Sequence, residues 1–186
     1  VYSIYRGIDF LETLVVRDLL LVLSVIGMLA GSCVAIYQIN VKRLLAYSSV
    51  AQIGYITLGI ALNTVTGISA GIIHLLNHAL IKGGLFMVMG CVMYRVGSVN
   101  LRDFRGLGKQ MPITMGCFVA AGLALIGVPL SGGFISKWYL IQACLEKELW
   151  IVTFFVVLTS FLAVIYIWRI IEISYFQSPS TKQEKM

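Results

Sequence analysis

The chain has 186 residues, of which 59% are hydrophobic and only 12% charged. A soluble domain carries roughly 25% charged residues, so this composition excludes a water-soluble globular domain and fits several membrane spans of about 20 residues each. The net charge of +6 would suit a nucleic-acid binder, but most of the charges sit in short loops between apolar runs, which removes nucleic acid as a partner.

Five membrane segments are predicted. The first runs from Leu19 to Ile39, follows the polar pair Arg17-Asp18 and holds no charge. The second runs from Leu44 to Leu62. The stretch Asn63-Thr64-Val65-Thr66-Gly67 then reads as a short turn, because Asn, Thr and Gly favour turns over helix interiors. The third runs from Ile68 to Tyr94, and a polar loop from Arg95 to Gln110 follows. The fourth runs from Pro112 to Cys144, with Pro112 suited to a first helical turn. At about 33 residues it is too long for one straight span of roughly 20. Gly127-Val128-Pro129 and Gly132-Gly133 interrupt it, so Gly127, Pro129, Gly132 and Gly133 are the expected break. The fifth runs from Leu149 to Ile171.

All five segments are expected to be helices, since strands left open in lipid leave backbone groups unpaired and nothing here alternates like a barrel. The fold class is therefore all-α, a polytopic transmembrane bundle whose fourth span is broken. The domain reading is a connecting segment at 1–18, the helical domain at 19–171 and a polar tail at 172–186. The chain opens at Val1 and in mid-pattern, so a fragment of a longer protein is expected.

Positive charge sets the orientation. Arg6, Arg17 and Lys147 fall on one side. Lys42, Arg43, Arg95, Arg102, Arg105, Lys109, Arg169, Lys182 and Lys185 fall on the other. The excess assigns loops 40–43 and 95–111 to the cytoplasm. An integral protein of a bacterial inner membrane is expected.

Two lysines remain inside the membrane, Lys82 and Lys137. Lys82 lies mid-segment, too far from either interface for its roughly 6 Å stem to snorkel. A central lysine costs about 2.5–3.5 kcal/mol on insertion scales and is tolerated where it faces a hydrated cavity or a partner. Such an amine is a candidate proton carrier; a structural lysine bonded to backbone carbonyls is the alternative. His74, His78 and Lys82 are spaced i, i+4, i+8 and share one helix stripe. Histidine titrates nearest neutrality, so the stripe reads as a proton relay, with helix–helix hydrogen bonding as the alternative. Lys137 follows the break, where irregular backbone at membrane depth lines a cavity or faces protein. Snorkelling toward the end marked by Glu146 is its alternative.

Other signals are weaker. Ser48, Ser49, Gln52, Tyr55 and Thr57 make the second segment polar on part of its surface, through helix packing or a wetted path. Trp138, Tyr139, Trp150 and Trp168 fit an interfacial belt. Met87, Met89 and Met93 read as packing residues. Cys33, Cys91, Cys117 and Cys144 form no CxxC spacing and read as buried small apolar residues. No metal site or cofactor is expected. No Ser-His-Asp, HExxH or P-loop pattern is present, so nothing in the sequence argues for hydrolytic chemistry.

Three stretches in order carry a family resemblance. They are Val41-Lys42-Arg43-Leu44-Leu45-Ala46-Tyr47-Ser48-Ser49-Val50-Ala51-Gln52-Ile53-Gly54-Tyr55, then His74-Leu75-Leu76-Asn77-His78-Ala79-Leu80-Ile81-Lys82-Gly83-Gly84-Leu85-Phe86, then Gly127-Val128-Pro129 through Gly133-Phe134-Ile135-Ser136-Lys137-Trp138. Together they resemble the antiporter-like subunits shared by Mrp-type cation/proton antiporters and the proton-pumping arm of respiratory complex I, above all the D subunit of the Mrp type. The resemblance implies two inverted five-helix repeats, of which this chain is mostly the second. It places Lys82 at the family's eleventh-helix channel lysine and Lys137 at the ionisable residue of its broken twelfth helix.

The expected function is proton and cation translocation, as monovalent cation/proton antiport, with protons passed along His74, His78, Lys82 and Lys137. The expected partners are other subunits of a membrane complex, the bilayer, protons and Na+ or K+. A first alternative is a proton-pumping subunit of a complex I or membrane-bound hydrogenase type of redox complex, where the chain would itself be non-catalytic. A second is a structural membrane scaffold.

Overall fold

The computed structural model describes residues 14–178. Arg6, Asp9, Glu12, Lys182 and Lys185, which belong to the charge and orientation argument, lie outside the described residues, as does the opening at Val1.

Seven α-helices form the described bundle. They are α1 (Leu14–Tyr37), α2 (Val41–Ala61), α3 (Val65–Val96), the single turn α4 (Leu107–Gln110), α5 (Pro112–Ile126), α6 (Gly132–Glu146) and α7 (Trp150–Phe176). Helices α1, α2, α3 and α7 are each long and apolar enough to cross a membrane. The remaining crossing is made of two 15-residue pieces, α5 and α6. Each is roughly 22 Å long at ~1.5 Å rise per residue, short of a full hydrocarbon layer. The predicted architecture of four spans and a broken one is therefore present.

Several helix ends differ from the sequence expectation, each for a local reason. The helix α1 is described from Leu14, and Arg17 and Asp18 lie within it, bonded to each other at 3.0 Å. Lys42 and Arg43 belong to the first turn of α2, because Asn40 caps that helix by accepting from the Arg43 amide at 3.2 Å. The turn before α3 ends at Thr64, whose hydroxyl accepts from the Gly67 amide at 2.9 Å; Val65 to Gly67 are already helical. Helix α3 stops at Gly97, which takes the left-handed conformation at φ 73°. The helix α7 continues to Phe176 because Ser174 is buried and Tyr175 packs over Gly108.

The stretch predicted as a polar loop folds back under the bundle. It contains a 3-10 turn at Leu101–Phe104 as well as α4, and Leu101, Phe104 and Leu107 are buried. An isolated antiparallel bridge joins it to the α1–α2 turn: the Val41 amide donates to Val99 and the Leu101 amide to Ile39, both at 2.9 Å. The two loops assigned to one face by charge are thus stitched together. The Arg169 guanidinium donates to the Ile36 carbonyl at 2.8 Å. This places a cation on the C-terminal carbonyls of α1, where the helix dipole favours one.

Three cysteines depart from expectation. Cys33, Cys91 and Cys117 are exposed and Cys144 is buried; all four are free thiols. The methionines divide, with Met89 in the core and Met87 and Met93 exposed. Trp150 opens α7, as a belt residue would. Trp138 lies in the second turn of α6, just past the break, and stacks on Phe134 with ring centroids 6.0 Å apart.

The core has two apolar clusters. One gathers Leu44, Leu45, Leu85, Met89, Phe104, Phe118, Leu125, Ile167 and Ile170. The other gathers Met28, Tyr55, Leu58, Ala70, Leu140 and Val156. On α2, Ser48 and Gln52 lie between members of the two clusters, and on α3 so do His74 and Lys82. A buried polar layer separates two apolar plugs.

Candidate functional site: a buried row of lysine, histidine and hydroxyl groups

Lys82 is buried at 5% exposure and sits over roughly 20 Å from either end of α3, counted at ~1.5 Å per residue. Its ammonium donates to the Leu45 carbonyl at 2.6 Å and to the Ser48 hydroxyl. Ser48 in turn donates to the same Leu45 carbonyl at 3.0 Å. With Ser49 donating there too at 3.1 Å, Leu45 collects a lysine and two hydroxyls although α2 runs unbroken through it.

His74, two turns earlier on the same stripe, is buried and bridges two helices. Its Nε2 faces Gln52 Oε1 on α2 at 2.9 Å, and its Nδ1 faces Ser136 Oγ on α6 at 2.9 Å. An amide oxygen only accepts, so Nε2 donates to Gln52, while the Ser136 hydroxyl facing Nδ1 also reaches the Gly133 carbonyl of its own helix at 3.1 Å. His78 lies between them on the stripe but is half-buried, and among the described residues its Nδ1 has no hydrogen-bond partner.

Lys137 is built by the break. At Gly127 the chain turns left-handed at φ 90°, its amide closing on Leu123 at 3.1 Å. Pro129 follows and has no N–H to offer. Leu130 is also left-handed, at φ 74°. Ser131 then caps α6, accepting from the Phe134 amide at 3.3 Å while its hydroxyl donates to Val128 at 2.7 Å. The last carbonyls of a helix have no partner within it. Lys137 supplies one, reaching back to Leu125 at 3.1 Å and Ile126 at 2.9 Å. It is 5% exposed, so its stem points to the break and not toward the Glu146 end; the snorkelling alternative does not describe it.

The break is held from the side. The Asn77 amide on α3 donates to the Gly132 carbonyl at 2.7 Å. Gly133 has no room for a side chain, because a Cβ would lie inside the contact distance of the Ala124 carbonyl oxygen. Tyr55 on α2 completes the row. Its ring lies 4.9 Å from the Lys137 nitrogen and 5.3 Å from the His74 ring, and its hydroxyl bonds Thr159 on α7 at 2.7 Å. Among the described residues neither lysine has an ion pair, and no His, Cys, Asp and Glu group could hold a metal.

The sequence left Ser48, Gln52 and Tyr55 open between packing and a wetted path; the structure turns all three toward the lysines and histidine. Their i, i+4, i+7 spacing, matched against the i, i+4, i+8 stripe of α3, was the signal available. Ser136 and Thr159 carried none.

Residues 1–163 match the model of the family described as NADH:quinone oxidoreductase/Mrp antiporter, TM. The chain belongs to this family. Among individual relatives of this antiporter-like chain is the NADH-quinone oxidoreductase subunit N of Desulforudis audaxviator, 46% identical over 162 residues, which are 86% of this chain and 32% of that protein. The fold matches a chain of the Mrp complex from Dietzia sp. DQ12-45-1b with a TM-score of 0.85, at 32% identity, over 88% of this chain and 31% of that one. It also matches a chain of an archaeal membrane-bound sulfane sulfur reductase, with a TM-score of 0.84, at 37% identity, over 89% of this chain and 34% of that one. The antiporter-like chain thus spans about a third of the length of the relatives it matches. It is an integral membrane chain.

Proposed function

We propose that this chain is the channel-bearing part of a proton-translocating subunit in a multi-subunit membrane complex of the plasma membrane. Loops 40–43 and 95–111 face the cytoplasm. Protons pass along His74, His78, Lys82 and Lys137, with Ser48, Gln52 and Ser136 and water between them.

One observation carries this reading. Two lysines and a histidine lie buried at membrane depth in one polar layer, and each is bonded only to neutral acceptors or to groups that can pass a proton. A scaffold would gain nothing from the burial cost of two such lysines. A carboxylate partner would fix the proton by direct Coulomb attraction; carbonyls and hydroxyls let an amine hold it and give it up. His78, with a free ring nitrogen between His74 and Lys82, suits a carrier better than a bridge.

The driving reaction has two readings. Monovalent cation/proton antiport fits the match to an Mrp complex chain. A redox-driven assembly is favoured by the 46% identity to an NADH-quinone oxidoreductase subunit N and by the sulfane sulfur reductase match. The residue chemistry is the same in both.

The test is proton uptake into proteoliposomes holding the assembled complex, with driving reaction or cation gradient supplied. Lys82→Leu and Lys137→Leu should each stop it. Full transport by either assembled variant would remove that lysine from the path.

A further inference from the structure

The Lys137 ammonium has a third neighbour besides the Leu125 and Ile126 carbonyls. It lies over the ring of Tyr55, 4.9 Å from the centroid and within the reach of a cation–π attraction. Tyr55 is 1% exposed. Its ring also packs on the His74 imidazole at 5.3 Å, tilted by 56°. Two of the titratable groups of the buried row thus meet on one aromatic side chain.

The ring is anchored at its far end. Thr159 Oγ1 donates to the Phe155 carbonyl at 2.7 Å, so at 2.7 Å from Tyr55 it accepts, and the tyrosine hydroxyl donates. Ser160 lies at 3.3 Å on the same hydroxyl. This chain of bonds fixes Tyr55 across from α2 to α7 and holds its face against the break.

We propose that Tyr55 is a positioning residue for proton transfer at Lys137: its clamped ring face supplies the negative electrostatic surface that a carboxylate would otherwise supply. The proposal rests on the proton-carrying reading of Lys137. Its logic is one of graded attraction. A carboxylate at contact distance holds an ammonium strongly in a dry interior. A ring quadrupole attracts the same cation much more weakly. The charged form is thereby oriented beside His74 and at the helix break, yet its proton remains free to leave. The hydroxyl serves the ring by aiming it.

The test separates the ring's charge distribution from its shape. Phenylalanine and its mono-, di- and trifluorinated forms are placed at position 55 in the full-length protein, and proton uptake is measured with the assembled complex in proteoliposomes. Fluorine draws charge off the ring face while changing its volume little. Tyr55→Phe should keep uptake to within about threefold, and trifluorination should lower it a further tenfold or so in a graded series. Uptake that is equal for phenylalanine and its trifluorinated form would overturn the proposal. Tyr55→Leu, which removes the ring, should fall below the whole series; should it fail to assemble, the fluorinated series still decides. Lys137→Leu is measured in parallel. If it transports normally, the proton-carrying reading of Lys137 has failed. If it is inactive while the fluorinated series is flat, Tyr55 alone has been misassigned.

Discussion

The two buried lysines reach similar burial by different means. Lys137 is held where the backbone has been opened: the break at Gly127–Ser131 leaves the Leu125 and Ile126 carbonyls without helical partners, and the lysine takes both. Lys82 is held where the backbone is intact. Leu45 lies inside α2, so the lysine shares its carbonyl and needs the Ser48 hydroxyl as a second acceptor. An opened helix offers a cation main-chain oxygen that no side-chain mutation can remove. A continuous helix must recruit a side chain, and that side chain is the weak point.

The largest expected effect tests what the lysines share. On the proposed path Lys82→Leu takes away a proton-carrying amine and a burial cost together, so proton uptake by the complex should fall to background while assembly persists. The second test separates them. Lys137→Leu should stop transport as well, but it leaves two buried carbonyls without a donor. Each unsatisfied group costs about 1–3 kcal/mol, so Lys137→Leu should melt in detergent well below Lys82→Leu. Equal melting temperatures would erase the distinction drawn between opened and intact backbone.

Next comes the geometry of the break itself. Gly133→Ala drives a methyl into the Ala124 carbonyl and should destabilise the protein by about 1–3 kcal/mol, as overpacking does. Wild-type stability in the alanine variant, measured by the same melt, would show that α5 and α6 can separate at little cost. The side-chain dependence of Lys82 predicts a smaller effect. Ser48→Ala removes one neutral acceptor worth about 0.5–1.5 kcal/mol. Uptake should fall by about threefold to tenfold, whereas Ser131→Ala, which weakens only the cap beside Lys137, should change it less. The reverse order would mean that the cap, not the hydroxyl, is the limiting support.

The mildest test concerns the histidines. His74 has a partner on each ring nitrogen, and His78 Nδ1 has none among the described residues. If His78 passes protons, His78→Gln and His78→Leu should slow uptake alike, since neither side chain titrates. A loss confined to the leucine variant would point to a bridge and reject the relay at that position.

Much of this was legible in the sequence, and the limits have physical causes. Apolar runs report preference for lipid, so the spans and the break at Gly127-Val128-Pro129 could be read directly. The burial of Lys82 followed from its distance to either interface. Lys137 was harder, because a lysine stem can run forward to an interface or back to a break, and spacing alone does not choose. The Asn40–Asn100 bridge and the fold-back of Leu101, Phe104 and Leu107 were invisible, since polar loop composition masks a few apolar anchors. Ser136 and Thr159 were missed because a hydroxyl in a helix bonds its own backbone by default; only the approach of His74 and Tyr55 gives each a second use.

The Asn77 bond to Gly132 has a consequence for motion. It and the His74–Ser136 bond tie α3, at two residues on one face, to the first two turns of α6. Tilting α6 about the break would have to release both at once, so the pair works as a latch. At about 1 kcal/mol per bond, a released state would hold a few per cent of the molecules.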